Sequence, residues 1–351
     1  IVAAAASGVG GEALNVEDVF STYLYTGTGA AHTITNGIDL AGEGGLVWVK
    51  GRDQARENAL ADTERGTGVW MSSNLNNGNL SNAQMINQFN SDGFRVGTES
   101  DVNFSGEAFA SWTFRKAPKF FDVVTYTGNG VAGRTISHDL GTTVGSIFVK
   151  RTDAGWDWQV YHRGLSNPAT KMLQLHNTEA EITGFWYGTA ATSTGFTVND
   201  SNSVNQSGGT YVAYVFAHND GDGEFGADGD LDIIKCGSYT GNAGILDVNL
   251  GFEPQFVLIK KASAAGNWIM FDTMRGFPAA GDHDAAMQLF PNLSSAEDLV
   301  SRIGLTSTGF GCNPASNAGA YNASGETYIY MAIRRGTKAP ESGTEVFGLG
   351  T

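Results

Sequence analysis

One phrase occurs three times in this chain of 351 residues, and it limits the possible folds more than any other feature. The three versions are NFSGEAFASWTF at residues 103–114, NQSGGTYVAYVF at 205–216 and NASGETYIYMAI at 322–333. Each follows the same landmarks: a Tyr-Thr-Gly turn, an apolar run ending in Lys, an Arg-Gly pair and a Gly-Phe step. We therefore interpret the chain as a tandem triplicate. Its period of about 100 residues exceeds that of a solenoid, so each copy is a small domain or one sector of a pseudo-threefold body.

The landmarks divide the chain into parts whose names are kept below. We expect an N-terminal arm (residues 1–18), segment 1 (19–117), segment 2 (118–219), an acidic Gly/Asp linker (220–230), segment 3 (231–336) and a C-terminal tail (337–351).

The residue pattern predicts an all-β protein. Glycine is abundant (48 residues), proline is scarce (7) and only 16% of residues are charged, which favours short strands joined by tight turns over long helices. The closing phrase of each copy alternates, as in Ala110, Trp112 and Phe114, so one face of a strand is apolar. The other face, with Ser111 and Thr113, is uncharged, and we expect it to be partly covered too. We predict three tandem homologous antiparallel β-sandwich modules of jelly-roll or lectin-like type.

Two local features add to this prediction. The repeated Asn-x-Ser-Gly is interpreted as a turn, because Asn and Ser side chains bond nearby backbone amides and Gly accepts a positive φ. It also matches an N-glycosylation acceptor. The one helical turn that we expect lies within residues 294–303, where a Ser-x-x-Asp spacing precedes apolar residues.

The charge of the chain excludes some classes of partner. The formal net charge is −15, so the surface would repel nucleic acid and anionic membranes. No apolar run approaches the ~20 residues of a membrane span. Cys236 and Cys312 are too few for a disulfide framework and are predicted to be buried thiols.

The acidic linker is the candidate metal site. Asp220, Asp222, Asp228 and Asp230 alternate with glycines, as in a calcium loop, although the order differs from that of an EF-hand. A bound Ca²⁺ is one interpretation, and a solvated acidic hinge is the other.

No constellation of residues indicates catalysis, and the chain is predicted not to be an enzyme. Glu57, Asp62 and Glu64 are close in sequence, yet their spacing does not match that of paired glycosidase carboxylates. Aligning the Arg-Gly pairs places Asp272 at the position of Asp62, with Val160 there in segment 2. A structural aspartate that bonds the Arg-Gly turn is the favoured interpretation.

The seven tryptophans are the remaining sign of a binding function. Trp48 and Trp112 lie on predicted core strands. Trp70 lies beside an Asn-rich loop that has no evident counterpart in the other copies. Because sugar-binding sites combine an aromatic ring with amide side chains, we predict an exposed carbohydrate-binding patch of Trp70, Asn74, Asn76 and Asn77.

The assembled landmarks resemble a repeat module of tail-fibre-like and other appendage proteins of marine bacteriophages. The stretches that carry the resemblance are VFSTYLYTGTG, NGIDLAGEGGLVWVK, DTERG, ASWTFRKAPKFFDVVTYTGNG and YVAYVFAHNDGDGEFGADGDLDIIKCGSYTGN. The resemblance implies a concanavalin-like or laminin-G-like β-sandwich and a place in a virion, and it carries over no catalytic or sugar-binding residues.

The sequence thus leads to one main functional hypothesis and two alternatives. The main one is a non-enzymatic structural protein of a phage virion: a tail fibre, spike or capsid-attached appendage that is assembled in the host cytoplasm. Its expected partners are other virion proteins and host-surface glycans, with no nucleic acid and no membrane insertion, and we expect a homo-oligomer, preferably a trimer. The alternatives are a stand-alone lectin-like carbohydrate-binding module and a polysaccharide depolymerase.

Overall fold

The computed structural model describes residues 14–184, 186, 188–279, 286–300, 303–312 and 318–336. This part of the chain is all-β, as predicted, and it is built from several antiparallel sheets. Its three α-helices have four residues each: α1 (Val16–Val19), α2 (Ser100–Asn103) and α3 (Ala318–Tyr321). A 3₁₀ turn covers Thr273–Arg275. None of the described helices has the length and apolar character that a membrane-spanning helix needs.

Segment 1 contains nine strands in the order of the chain. They are β1 (Phe20–Thr26), β2 (His32–Thr35), β3 (Gly45–Gly51), β4 (Ala59–Asp62), β5 (Val69–Ser72), β6 (Leu80–Ser81), β7 (Ile86–Asn90), β8 (Gly93–Val96) and β9 (Ala108–Arg115).

Segment 2 contains eight described strands. They are β10 (Phe121–Thr127), β11 (Arg134–Ser137), β12 (Val144–Arg151), β13 (Gln159–His162), β14 (Lys171–Gln174), β15 (Ile182–Thr183), β16 (Gly195–Val198) and β17 (Thr210–Ala217).

Segment 3 contains nine described strands. They are β18 (Ile234–Thr240), β19 (Leu246–Asn249), β20 (Pro254–Lys261), β21 (Trp268–Asp272), β22 (Ala286–Gln288), β23 (Asp298–Val300), β24 (Ile303–Thr306), β25 (Gly309–Cys312) and β26 (Thr327–Arg334). The helical turn expected within residues 294–303 is wrong, because residues 298–300 form strand β23 and pair with β22. The pairing of β23 with β22 determines the structure here, and the local Ser-x-x-Asp spacing gives no information about that pairing.

Each segment pairs its strands in the same order. The large sheets run β1-β9-β3-β4-β5-β6, β10-β17-β12-β13-β14-β15 and β18-β26-β20-β21, and an isolated bridge from Met270 to Leu289 continues the third sheet. A small second sheet accompanies each of them: β2-β8-β7, β11-β16 and β19-β25-β24. Every pairing between these strands is antiparallel and lies within one segment.

The large sheets are buried on both faces. All seven residues of β3 and all eight of β12 are buried. One face of each large sheet packs towards its own small sheet, and the other contributes to a central core shared by all three segments, which includes Trp48, Trp112, Phe148, Tyr214 and Trp268. The predicted coverage of Ser111 and Thr113 is confirmed, because both are fully buried. Both cysteines are buried free thiols, as predicted.

Candidate functional site

The repeated asparagine closes the same turn in all three segments. In segment 1 the amide of Asn103 donates to the Ala30 carbonyl (2.8 Å) and its oxygen accepts the Thr28 N–H (2.8 Å). Asn205 and Asn322 make the corresponding pairs of hydrogen bonds in segments 2 and 3. All three side chains are fully buried.

The turn with a glycine of positive φ is confirmed at Gly106, Gly208 and Gly325. The expected role of the asparagine is wrong, because Asn103 bonds backbone 73 and 75 residues away and not nearby amides. The nitrogen that a glycan would occupy is already buried and hydrogen-bonded.

The glycine of each Tyr-Thr-Gly turn is required by the same closure. A Cβ on Gly27 would lie 2.1 Å from the Phe104 carbonyl oxygen, which is far inside van der Waals contact. Gly128 and Gly241 face the carbonyls of Gln206 and Ala323 in the same way, at 2.1 and 2.2 Å. The close backbone approach explains why the glycine of this tripeptide recurs.

The lysine that ends each central strand joins its segment to a neighbouring one. Lys50 donates to the Ser294 carbonyl of segment 3 (3.0 Å), Lys150 to the Asn76 carbonyl of segment 1 (3.1 Å), and Lys260 to the Thr178 carbonyl of segment 2 (3.4 Å). These bonds follow a cyclic order, in which each segment contacts both others. We name the three contacts junction 1–2, junction 2–3 and junction 3–1.

These lysines are fully buried among carbonyl groups. Burial lowers the pKa of Lys50 and of Lys150 to about 8, and that of Lys260 to about 7. Desolvation of the ammonium group is the main cause, since nearby carboxylates oppose the shift only in part.

A second set of buried polar groups lies at two of the junctions. At junction 1–2, Tyr214 donates to Asp62 (2.8 Å) and accepts from Arg65 (2.9 Å). Asp62 is itself held by Arg65 at 2.6 Å within the same turn. At junction 3–1 the indole N–H of Trp112 donates to Asp272 (3.1 Å), which pairs with the fully buried Arg275 at 2.6 Å.

Junction 2–3 has a histidine where the other two junctions have an aspartate. Four residues before each junction lysine, the central strand has a partner on the next strand. The partner of Leu46 is Asp62, that of Ser146 is His162 and that of Phe256 is Asp272. The alignment of Val160 with Asp62 is therefore wrong, and His162 takes that position.

The residues around His162 match this substitution. Met331 stands where Trp112 and Tyr214 stand in the other segments, and it offers no strong donor to a carboxylate. Instead His162 donates from Nε2 to the Tyr330 carbonyl (3.0 Å), while its Nδ1 accepts the Gly164 N–H (3.0 Å). Because Nδ1 accepts a hydrogen bond, it carries no proton, and the imidazole is neutral. Burial favours the same form and lowers the pKa of His162 to about 3.

The three carboxylates considered for hydrolysis do not face one another across an open site. Asp62 is fully buried in its pair with Arg65, as the structural interpretation predicts. Glu57 accepts a hydrogen bond from Asn74, and Glu64 pairs with Lys116 at 2.8 Å. Each carboxylate is thus engaged by a protein partner.

The predicted carbohydrate patch divides into a buried and an exposed part. Trp70 is only 8% exposed and packs in the core of segment 1, so the expectation of an exposed ring there is wrong. Asn74 accepts from Asn58 and Ser72, whereas Asn76 and Asn77 are exposed. Carbohydrate binding by the Asn-rich loop stays a prediction.

The Asn-rich loop also has structural counterparts, contrary to the sequence comparison. Its Asn76 carbonyl accepts from Lys150 as the Thr178 and Ser294 carbonyls accept from the other two lysines. The loop therefore forms part of junction 1–2.

The acidic linker folds back on itself. Asp222 accepts from the Thr142 hydroxyl, and Asp232 accepts from the backbone of Gly221 (2.9 Å) and Gly223 (3.2 Å). Asp220, Asp228 and Asp230 are exposed. The described residues contain no group of three or more His, Cys, Asp or Glu side chains placed to hold a metal ion. A Ca²⁺ ion at Asp220, Asp222, Asp228 and Asp230 stays a prediction.

A cleft of about 410 Å³ opens at junction 1–2. Glu64 and Arg65 form one side of it, and the edge strand β10 with its neighbours forms the other; the lining residues from segment 2 are Thr125, Tyr126, Thr127, Thr152, Thr210 and Tyr211. A depression of about 280 Å³ continues the cleft along β10 and shares Glu64 and Thr125 with it.

Sheets packed in pairs and joined through a common core define a multi-sheet β-sandwich protein whose repeated polar residues lie at turns and junctions. A family model described as a domain of unknown function, DUF7483, matches residues 15–335, and the chain belongs to this family. No curated protein matches the sequence significantly.

Proposed function

We propose that the chain consists of three copies of one β-sandwich module that close into a ring, and that it serves as a non-enzymatic structural protein. The main support for this proposal is that the recurring residues make structural hydrogen bonds. The buried asparagines close turns, and Lys50, Lys150 and Lys260 bind the next module in cyclic order. The recurring residues thus have structural roles, as expected of a scaffold protein.

We place this scaffold in a phage virion, as a tail fibre, spike or capsid-attached appendage. The support is the resemblance of the repeated stretches to appendage modules of marine phages. The net charge of −15 agrees with a solvated outer part that has other virion proteins and host glycans as partners. A homotrimer stays a prediction, and the three modules in one chain already provide a threefold arrangement internally.

The test is the location of the protein. Particles from a lysate that expresses the gene are purified by density gradient, and the chain is quantified in them by mass spectrometry against known virion proteins. We expect a fixed number of copies per particle and surface labelling by antibody. Abundant chain in the lysate with none in purified particles would reject the assignment to the virion.

A further inference from the structure

Junction 1–2 is open where the corresponding junction 2–3 is closed. Glu64 follows Asp62 by two residues, and Gly164 follows His162 by two, so these residues correspond. A Cβ on Gly164 would lie 3.0 Å from the backbone of Gly237 and 3.1 Å from Ser238, so segment 3 covers that position closely.

At junction 1–2 the same position holds a space. Glu64 and Thr125, which corresponds to Ser238 on the edge strand, line a cleft of about 410 Å³. This volume lies within the roughly 300–1,000 Å³ of small-molecule sites. Packing alone does not require equivalent positions of two related junctions to differ in this way, so the space at junction 1–2 points to a ligand.

The lining determines which ligand fits. The hydroxyl-bearing residues Thr125, Thr127 and Thr210 are exposed and line the cleft from one face of the sheet, whereas the rings of Tyr126 and Tyr211 point to the opposite face. Short hydroxyl side chains on an edge strand present donors and acceptors at small entropic cost. The match is a compound rich in hydroxyl groups.

The charge excludes an anionic ligand. The depression that continues the cleft is lined by three carboxylates, Glu64, Asp122 and Asp139, against one lysine, Lys116, which pairs with Glu64. In the cleft itself, Arg65 is neutralised by Asp62. A uronic acid or sulfated sugar would meet like charge there, which is unfavourable.

We propose that the cleft at junction 1–2 binds an uncharged glycan, with Thr125, Thr127 and Glu64 as hydrogen-bonding groups. This inference rests on the proposed function, since it gives the surface of the appendage a place for a host polysaccharide. It differs from the predicted patch on the Asn-rich loop, which lies on exposed Asn76 and Asn77.

The experiment uses the full chain on immobilised neutral hexose, free-amine and uronic-acid oligosaccharides, followed by calorimetric titration with the best soluble probe. We expect binding to a neutral probe. Thr125→Val and Thr127→Val each replace a hydroxyl group by a methyl group, and Glu64→Gln removes the charge of the acceptor while keeping the size of the side chain; each should raise the Kd about three- to tenfold. Ser238→Ala at the closed junction and Asn77→Ala on the loop serve as controls and should leave the Kd unchanged.

Three results would overturn the inference: a folded chain that binds no probe, binding confined to uronic-acid or free-amine probes, and loss of binding in Asn77→Ala with the cleft variants unaffected. Thermal unfolding of every variant establishes that it is folded. A chain present in virions that binds no glycan overturns the cleft alone, whereas absence from virions rejects the proposed function.

Discussion

The hydroxyl of Tyr214 offers a clean measure of how strongly one segment holds another. It is fully buried at junction 1–2, where it donates to Asp62 and accepts from Arg65. Tyr214→Phe removes both hydrogen bonds and keeps the ring, so no cavity is created. A hydrogen bond to a charged group contributes about 1.5–3 kcal/mol. Because Asp62 and Arg65 still hold each other, we expect a loss of about 2–3 kcal/mol, below the sum of the two bonds.

The assay is urea unfolding followed by tryptophan fluorescence, with calorimetry as an independent probe. Tyr126→Phe is the matched control, since its hydroxyl donates only to the Val204 carbonyl within segment 2 (2.7 Å). A neutral hydrogen bond of that kind should cost about 1 kcal/mol.

A double-mutant cycle with Asp62→Asn tests the mechanism. Alone, this change leaves Arg65 buried without a counter-charge, which costs about 3–5 kcal/mol. In that background Tyr214→Phe should cost about 1 kcal/mol less than in the wild type, because the charged acceptor is gone. Strict additivity, or a Tyr214→Phe loss no larger than that of Tyr126→Phe, would refute the assigned network.

Three further outcomes are expected. The pKa of His162 is lowered from 6.5 to about 3, so between these pH values the unfolded chain binds a proton that the folded chain does not. Stability therefore falls as the pH drops through this window, by up to about 5 kcal/mol, and His162→Gln should reduce the loss whereas His32→Gln should not. The pKa of Lys260 is lowered from 10.5 to about 7, so its contribution to stability rises with pH from 7 to 10.5. Lys260→Met should reduce that slope in denaturation series across this range, and the part due to Lys50 and Lys150 should remain. Asn205→Ala breaks two buried hydrogen bonds and should lower the free energy of unfolding by about 2–3 kcal/mol, whereas a similar cost from exposed Asn77→Ala would show that burial is not the cause.

The β class and the asparagine turn could be predicted because their signals are local. Alternation along residues 103–114 marks a strand, and Gly106 with its positive φ marks the turn before it. The partner of Asn103 could not be predicted, because Ala30 is 73 residues away. The lysine at the end of each central strand was also visible, but nothing local shows what it binds. The acceptor of Lys50 is 244 residues away along the chain.

The junction chemistry could not be predicted, for the same reason. Trp112 and Asp272 are 160 residues apart, and only the folded chain brings them together. The exchange of Asp for His at His162 becomes intelligible only beside Met331, which the sequence gives no reason to associate with it. Trp70 was placed at the surface because Asn-rich residues flank it, yet β5 lies between β4 and β6 and the ring turns into the core.

In the proposed ring, each of the three described segments contacts both others, in contrast to a linear repeat array, whose end units contact one neighbour each. Glu17 and Gly336 lie side by side, since a Cβ on Gly336 would come within 2.0 Å of the Glu17 carboxylate. A gene rearranged to join these two ends and to start in the exposed stretch around Asp228 would keep every junction. Removal of any one segment, in contrast, would expose apolar surface on both others, because they share one core, so the three are expected to persist or be lost together.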